Sequence, residues 1–394
     1  MRIVFVTSRF PYPVEKGDKL RAFHQIRLLS RHHEIHLVAV SHHKISAEDL
    51  KAMSSYCSSI KVFRIRRWLV PFQLALGWLE GLPLQVSYFL DRSIKRQVQY
   101  HIIHLDPDHI VCQLIRASPY VRSLPFPKTL DYMDVFSEGM LQLAKKYHPF
   151  GFVFRWEAKR LAAYERTIYK DFDKHTIISK QDRDRLRLAT HDQIKVIPNG
   201  VDDQFAPRPM GNPPTHDLVF VGNLGYGPNT AAAQYLVKRL LPELARRGLK
   251  ITLLLAGARP GRKIRQLKNY EGVSIRGWVE DIRDAYADGR IFVAPMFSGL
   301  GLQNKILEAM SMGLPCVTTT MVNNAIGAEL GKEILVSDSL EGLADHIQRL
   351  MADSKEYNRL SEAARAFVMA NYQWEDQVNK LESFISAKNV YAET

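Results

Sequence analysis

Cysteine is nearly missing from this chain. Its 394 residues hold three, Cys57, Cys112 and Cys316. They lie too far apart for a disulfide framework and show no zinc-ligand spacing. That fits a reducing compartment, so a cytoplasmic location is expected. Long apolar runs are missing too, and none approaches the ~18 residues that cross a bilayer. Met1 to Pro13 holds only a short apolar run before polar residues, which reads as a first strand and not as a secretion signal. Acid is scarce in the first half. Residues 1–200 hold 32 Lys and Arg against 19 Asp and Glu, whereas residues 201–394 hold 22 of each. The net charge of +13 therefore lies in the first half. Such a balance suggests nucleic acid, a membrane surface or an anionic substrate. Aromatic RNA-binding motifs, zinc fingers and basic zippers are all missing, so no nucleic-acid partner is expected.

What is present suffices for two cores. A chain of 394 residues exceeds one domain, and 46% hydrophobic residues can fill a pair of them. The chain is organised around Arg290 to Thr318. Ile291 to Ala294 forms a short apolar run that fits a buried parallel strand, and Pro295 stops it. Gly299 and Gly301 bracket a loop without side-chain bulk. Asn304 to Met312 turns helical, with Ile306, Leu307 and Met310 on one face, and Gly313 and Pro315 end it. A strand, a Gly-rich loop and a helix N-terminus make a ready anion site. There the backbone N–H groups of Leu302, Gln303 and Asn304 point at a ligand and Lys305 adds a cation. Glu308 suits a vicinal diol such as a ribose, because a carboxylate accepts two hydrogen bonds. Together they suggest a nucleotide. The alternative is an ordinary strand–helix turn with a solvated Lys and Glu.

Other elements follow in order. Arg2 to Thr7 is a strand, and Gly17 opens a second Gly-loop before a helix from Leu20 to Ser30. His36 to Ser41 and Lys61 to Arg67 read as strands. Trp68 to Leu84 is apolar, aromatic and broken by Pro71 and Gly77. Beside Arg64, Arg66 and Arg67 it resembles an interfacial membrane anchor, or else a helical hairpin packed on its own domain. Ile110 to Leu114 is a strand. Trp156 to Phe172 is an amphipathic helix, Thr176 to Ser179 a strand and Asp182 to Leu188 a charged helix. Pro198, Asn199 and Gly200 turn the chain, and Pro207 to Pro214 reads as a linker. Strands at Leu218 to Val221, Ile251 to Gly257 and Val273 to Val279 follow, with a helix to about Arg247 after the first. Tyr372 to Ser386 has helical spacing, with Trp374, Val378, Leu381 and Phe384 on one side.

Three runs carry a resemblance. Glu308-Ala309-Met310 with Gly313-Leu314-Pro315 resembles the donor-site signature of family 4 retaining glycosyltransferases of the GT-B fold. Gly299 to Met310 resembles a narrower group, the sugar transferases found with bacterial exopolysaccharide and exosortase (PEP-CTERM) clusters. Ile194 to Asp202, IKVIPNGVD, resembles the run where such chains pass between domains. The resemblance implies an α/β GT-B fold, with two Rossmann-like domains facing a cleft and a C-terminal helix crossing back. The expected boundaries are 1–206 for the acceptor side, 207–371 for the nucleotide-sugar donor and 372–394 for the returning helix.

The implied activity is retaining transfer of a sugar from a nucleotide-diphosphate donor to a saccharide or lipid-linked acceptor, in exopolysaccharide synthesis. A nucleotide-sugar epimerase and a non-catalytic nucleotide-sugar binding protein remain as alternatives. By resemblance the donor contacts are Gly17, Gly222, Asn223, Val279, Gly299, Gly301, Leu302, Gln303, Asn304, Lys305 and Glu308. Asp134, Lys305 and Glu308 carry the chemistry. Asp18, Lys19, Arg21, Asp131 and Ser137 lie on the acceptor side, although Arg21 also reads as a surface helix residue, and Asp131 or Ser137 as a helix cap. Two departures stand out. The family's first glutamate falls on Leu300, and its cation pair on the diphosphate is replaced around Asn223 and Pro228-Asn229, which leaves Lys305 to take that part. No Asp-x-Asp pair sits in the phosphate loop, so no metal and no cofactor beyond the nucleotide sugar is expected. The basic half suggests an anionic membrane surface as a further partner, on the inner face of the inner membrane.

Overall fold

The computed structural model describes residues 1–147, 149–186, 188, 191–207, 213–299 and 301–387. It divides into two compact units, one of Met1–Asn199 with Glu375–Thr394 and one of Gly200–Trp374.

The first unit is built on a seven-stranded sheet of order β3-β2-β1-β4-β5-β6-β7. Its strands are β1 (Arg2–Thr7), β2 (Glu34–Ser41), β3 (Ser59–Arg64), β4 (His109–Gln113), β5 (Lys128–Asp131), β6 (Lys174–Ile177) and β7 (Lys195–Val196). All neighbours pair in parallel. Ile3, Val4, Phe5 and Val6 are fully buried, as are Leu37, Val38 and Ala39. A parallel strand has helices on both faces, so a continuous apolar run is what it needs. β3 stops at Arg64, short of the alternating run to Arg67. Arg67–Leu69 is instead a 3-10 turn leading into the helix Val70–Leu79.

The second unit repeats the order in six strands, β10-β9-β8-β11-β12-β13. These are β8 (His216–Val221), β9 (Leu253–Ala256), β10 (Val273–Arg276), β11 (Gly289–Ala294), β12 (Cys316–Thr318) and β13 (Leu335–Val336). In both sheets the order reverses beside the first strand, at β1/β4 and at β8/β11. Ligands of open α/β sheets bind outside the strand C-termini at such reversals.

The divisions fall at 199/200 and 374/375 rather than at 206/207 and 371/372. Contacts explain the shift. The Val201 N–H donates to the Tyr372 carbonyl at 2.7 Å, and the Ser311 hydroxyl donates to the Phe205 carbonyl at 2.7 Å. Residues 200–206 thus pack with the second unit. The helix Trp374–Ser386 returns to the first unit, burying Val378, Leu381 and Ile385. Lys174 Nζ donates to the carbonyls of Phe384 and Ile385 at 2.8 and 3.1 Å. A cation there also suits the negative end of the helix dipole.

One ion pair lies at the centre of the first unit. Arg21, on the helix Gly17–Leu29, is completely buried. Its Nε donates to Asp131 Oδ2 at 2.5 Å, its Nη2 to Asp131 Oδ1 at 3.3 Å and its Nη1 to Asn199 Oδ1 at 3.1 Å. Asp131→Asn is therefore expected to lower stability by about 3–5 kcal/mol, because it strands a buried guanidinium. Urea denaturation followed by circular dichroism reads this directly. A variant as stable as the parent would show that the pair carries no such constraint.

Candidate functional site

The second unit places most of the expected donor residues around the β8/β11 reversal. β8 ends at Val221, and Gly222 follows with φ +157°. A Cβ on Gly222 would meet Asn229 Nδ2 at 2.8 Å, so glycine is required for close approach. Asn223 folds the loop back on itself. Its Oδ1 accepts the Gly225 N–H and its carbonyl accepts Asn229 Nδ2, both at 3.0 Å. The helix Gly227–Tyr235 then starts, with Pro228 in its first turn.

β11 leads into the loop 295–303, where Gly299 and Gly301 take φ +141° and +70°. A Cβ on Gly299 would touch that of Pro228 at 4.0 Å, so the two loops and their helix N-termini lie side by side. Leu302 is buried and anchors the loop, and Gln303 Nε2 donates to the Gly301 carbonyl at 3.4 Å. The helix Asn304–Ser311 begins there and buries Ile306, Leu307 and Met310. Its first-turn amides face the loop, as at any helix N-terminus. Leu300 lies outside the described residues.

Lys305 bridges the two loops. Its Nζ donates to Asn229 Oδ1 at 2.5 Å, contacts Met296 Sδ at 3.3 Å and lies 5.4 Å from the Phe220 ring centre. Among the described residues it forms no ion pair. Burial pushes its ammonium down to about 7, and only the field of Glu308 opposes that. Glu308 stands one turn further along. Its Oε2 accepts the Tyr286 hydroxyl at 2.6 Å, and its Oε1 makes no hydrogen bond among the described residues. Burial raises its carboxyl, while Tyr286 and Lys305 hold it down. The arrangement offers an anion hole with a poised cation, and one carboxylate oxygen set beside it for a diol. Val279 lies in the half-exposed turn after β10, next to the exposed Trp278.

Two residues of this unit, Tyr286 and Arg259, escaped the sequence reading, and Asn229 entered it only as a departure from the family pattern. Asn229 and Tyr286 hold Lys305 and Glu308, but their partners lie 76 and 22 residues away and no motif links them. Arg259 follows β9 with φ +58°, and a Cβ on Gly225 would meet its carbonyl at 3.0 Å. Its side chain is exposed. The missing family cation pair was the only signal for it.

The first unit rearranges the expected acceptor side. Arg21 and Asp131 are buried and paired with each other. Ser137 is likewise taken. Its hydroxyl donates to Glu165 Oε2 at 2.6 Å and its N–H to Oε1 at 3.1 Å. Glu165 is buried and raised to about 7. Asp18 accepts Arg9 Nη1 at 2.6 Å, and Lys19 Nζ donates to the Tyr12 carbonyl at 3.3 Å. Gly17 is exposed, and a Cβ there would meet nothing within 4 Å. Asp134 differs from these. It lies beyond β5, keeps some exposure and has no side-chain hydrogen bond among the described residues. Burial first, then the fields of Asp182 and Asp18, raise it to about 7 against the pull of Arg116. No group of three or more His, Cys, Asp or Glu among the described residues could hold a metal ion.

Known proteins place this geometry. The two parallel α/β sheets are those of GT-B glycosyltransferases. A sucrose-phosphate synthase from Thermosynechococcus elongatus superposes with TM-score 0.69 at 15% identity, covering 98% of each chain. Anabaena Alr3699/HepE, solved in complex with UDP and glucose, superposes with TM-score 0.68 at 14% identity, over 98% of this chain and all of that one. A 44.6 kDa protein of the cps region of Klebsiella pneumoniae is 23% identical over 393 residues, 94% of this chain and 96% of that protein. Residues 215–353 match the family model described as glycosyl transferases group 1. Residues 215–353 are thus similar to the domain of the group 1 glycosyltransferases, and the chain as a whole has their GT-B fold.

The state of Lys305 sets a pH dependence. A diphosphate beside it favours the ammonium, so binding takes up a proton above about pH 7. Affinity for a nucleoside diphosphate should fall as pH rises from about 7 to about 9, by at most about tenfold per unit. Lys305→Arg, which stays charged, should flatten the profile. Calorimetric titration across that range checks it, and a flat profile in the parent would contradict the role.

Proposed function

We propose that the enzyme transfers a sugar, with retention of configuration, from a nucleotide-diphosphate sugar to a saccharide or lipid-linked acceptor in bacterial exopolysaccharide synthesis. The observation that carries this reading is the partly desolvated Lys305 between two helix N-termini, with Glu308 one turn away. In bond cleavage, negative charge grows on the leaving diphosphate. Fixed N–H groups and a buried cation stabilise that charge more than they stabilise the bound donor. Arg259 joins Lys305 as the second cation. Glu308 Oε1 takes the ribose diol, and the turn at Val279 lies against the base. Asp134 faces the reacting sugar and acceptor, and its raised pKa suits a group that exchanges a proton near neutrality. The reading needs no cofactor beyond the nucleotide sugar. The Anabaena protein's complex with UDP and glucose supports a nucleotide-sugar donor, and the cps-region relative supports the polysaccharide context.

Glu308→Ala and Lys305→Ala should each cost about ten- to a hundredfold in donor affinity or turnover, about 1.5–3 kcal/mol, with the fold intact. Asp134→Asn should lower turnover with little change in donor affinity. Nucleoside diphosphate release with and without acceptor, and the anomeric signal of the product by NMR, test all three. Parent-like rates in a variant would remove that residue from the mechanism. A product released without acceptor as an epimer would replace transfer by epimerisation.

A membrane partner belongs to the same reading. The helix Val70–Leu79 does pack on its own unit, through Gln73 and Gly77. The turn before it and its outer side still leave Trp68 at 72%, Phe72 at 62% and Trp78 at 55% exposure. A second helix, Gly151–Tyr169, brings exposed Phe152 and Trp156 to it. Arg160 ties them together, donating to the carbonyls of Trp78 and Leu82 at 3.0 Å each and lying 4.6 Å from the Trp156 ring centre. Arg64, Arg66, Arg155 and Lys159 stand exposed on these segments. No helix of the described residues is long and apolar enough to cross a membrane. Aromatics among cations instead fit the surface of an anionic leaflet, at about 1 kcal/mol per basic residue. The parent should co-sediment with anionic vesicles at low salt and release at high salt. Arg64→Glu with Arg66→Glu, and Trp68→Ser with Trp78→Ser, should each reduce binding. Equal partition of all three proteins, or none at low salt, would remove the membrane from the reading.

A further inference from the structure

The first unit has its own reversal, at β1/β4, and the residues there are unevenly charged. Ser8 and Arg9 follow β1, His42 and His43 follow β2, Arg67 follows β3 and Arg116 follows β4. The strands are parallel and adjacent in the order β3-β2-β1-β4, so all six residues stand on one edge. Phe89 is wedged between two of them. Arg116 Cζ and the His42 ring centre each lie 5.1 Å from its ring centre. Arg116 also lies 4.4 Å from the Phe136 ring centre. Arg67 Nη2 sits 3.0 Å from His43 Nδ1. Among the described residues, Arg9 pairs with a carboxylate, Asp18, and Arg67 and Arg116 pair with none.

Several buried polar atoms here lack partners. Arg116 Nη2 donates to Gln85 Oε1 at 2.6 Å, but among the described residues its Nε, the Ser8 hydroxyl and both His42 ring nitrogens find no hydrogen-bond partner. The backbone of Tyr88 is the one group that favours the charged form of His42. Unsatisfied buried polar atoms are few in folded proteins, and a cluster of them requires a cause. The fields agree with the placement. Burial first, then the field of Arg9, brings the Arg116 guanidinium down to about 10, while Asp18 and Asp134 oppose them. Burial, Arg67 and Arg9 lower both His42 and His43. Lys16 and Lys19 add to the field at His43.

We propose that Ser8, Arg9, His42, Arg67 and Arg116 form a site for an oxyanion carried by the acceptor, either the diphosphate of a lipid-linked acceptor or the carboxylate of an acidic sugar. The inference rests on the reading that the first unit takes the acceptor. Planar guanidinium groups match both oxyanions. The Phe89 and Phe136 faces hold Arg116 in place, so little of its side-chain freedom remains to be lost on binding. Asp134 lies within the field of Arg116, which places the anion near the residue assigned to the reacting sugar.

The test is calorimetry of the full chain in a Lys305→Met background, which keeps diphosphate from the second unit's lysine. The probes are geranyl diphosphate, glucuronate and neutral methyl glucoside. At least one anion should bind and the glucoside should not. Arg67→Gln, at an exposed position, and Arg116→Gln should each weaken anion binding about ten- to a hundredfold. Binding of diphosphate alone, or of glucuronate alone, identifies the source of the oxyanion. Binding of neither, or equal binding in parent and Arg67→Gln, overturns the site. Failure of the glycosyltransferase reading is a separate result, an enzyme with Lys305 intact that releases no nucleoside diphosphate with any acceptor. That outcome leaves the anion titration to be read on its own.

Discussion

The structure depends on the pairing of Arg21 with Asp131. The contact joins the helix after β1 to the end of β5, across 110 residues of chain. Arg21 also fixes Asn199, the last residue before the chain leaves the first unit. A buried ion pair is a weak source of net stability, because desolvating both charges offsets their attraction. Its value here is positional. A guanidinium fork accepts one arrangement of carboxylate and amide, so the turn at Asn199 is held in place. Gly200 follows, where a Cβ would lie 2.5 Å from the backbone N and Cα of Trp374. The first and last residues of the second unit therefore run against each other, and only glycine allows that approach.

The candidate donor site solves a different problem with the same means. A lysine and a glutamate on successive turns could neutralise each other. Instead Lys305 turns to Asn229 and Met296, and Glu308 turns to Tyr286. Each charge is then held by a neutral partner that leaves it reactive. A direct ion pair would have to break for a diphosphate and a diol to enter, and would subtract its own strength from their binding. Neutral holders leave the field of the ammonium directed at the loop.

How much of this was legible follows from distance along the chain. The strands were readable because a parallel strand buried on both faces is a local apolar run, as Ile3 to Val6 and Ile291 to Ala294 show. The Gly-rich loop and the helix after it were readable for the same reason, since Gly299, Gly301, Lys305 and Glu308 fall within ten residues of sequence. The fate of Arg21 was not. An arginine on a helix reads as exposed or as ligand-binding, and nothing near it announces Asp131. Ser137 and Glu165 repeat the case across 28 residues. The Lys61 to Arg67 run misled in another way. Ile65 is still buried and its N–H still donates to the Ser41 carbonyl at 2.9 Å, but the chain then leaves the sheet for the turn at Arg67, so the alternation runs further than the strand.

Each sheet reverses its strand order once beside its first strand, and each reversal gathers cations that the fold itself does not neutralise. In the second unit that cation is Lys305, whose surroundings lower its pKa to about 7. In the first it is Arg116, brought down to about 10. A charge kept where the protein disfavours it lowers the stability of the ligand-free fold. An apolar residue of similar size, such as methionine at either position, would fill the space without that penalty. The cost is recovered only when an anion is present, because the same burial that penalises the lone cation strengthens its attraction to a bound partner. Two such positions, one in each unit, are what a transferase needs if both of its substrates carry negative charge.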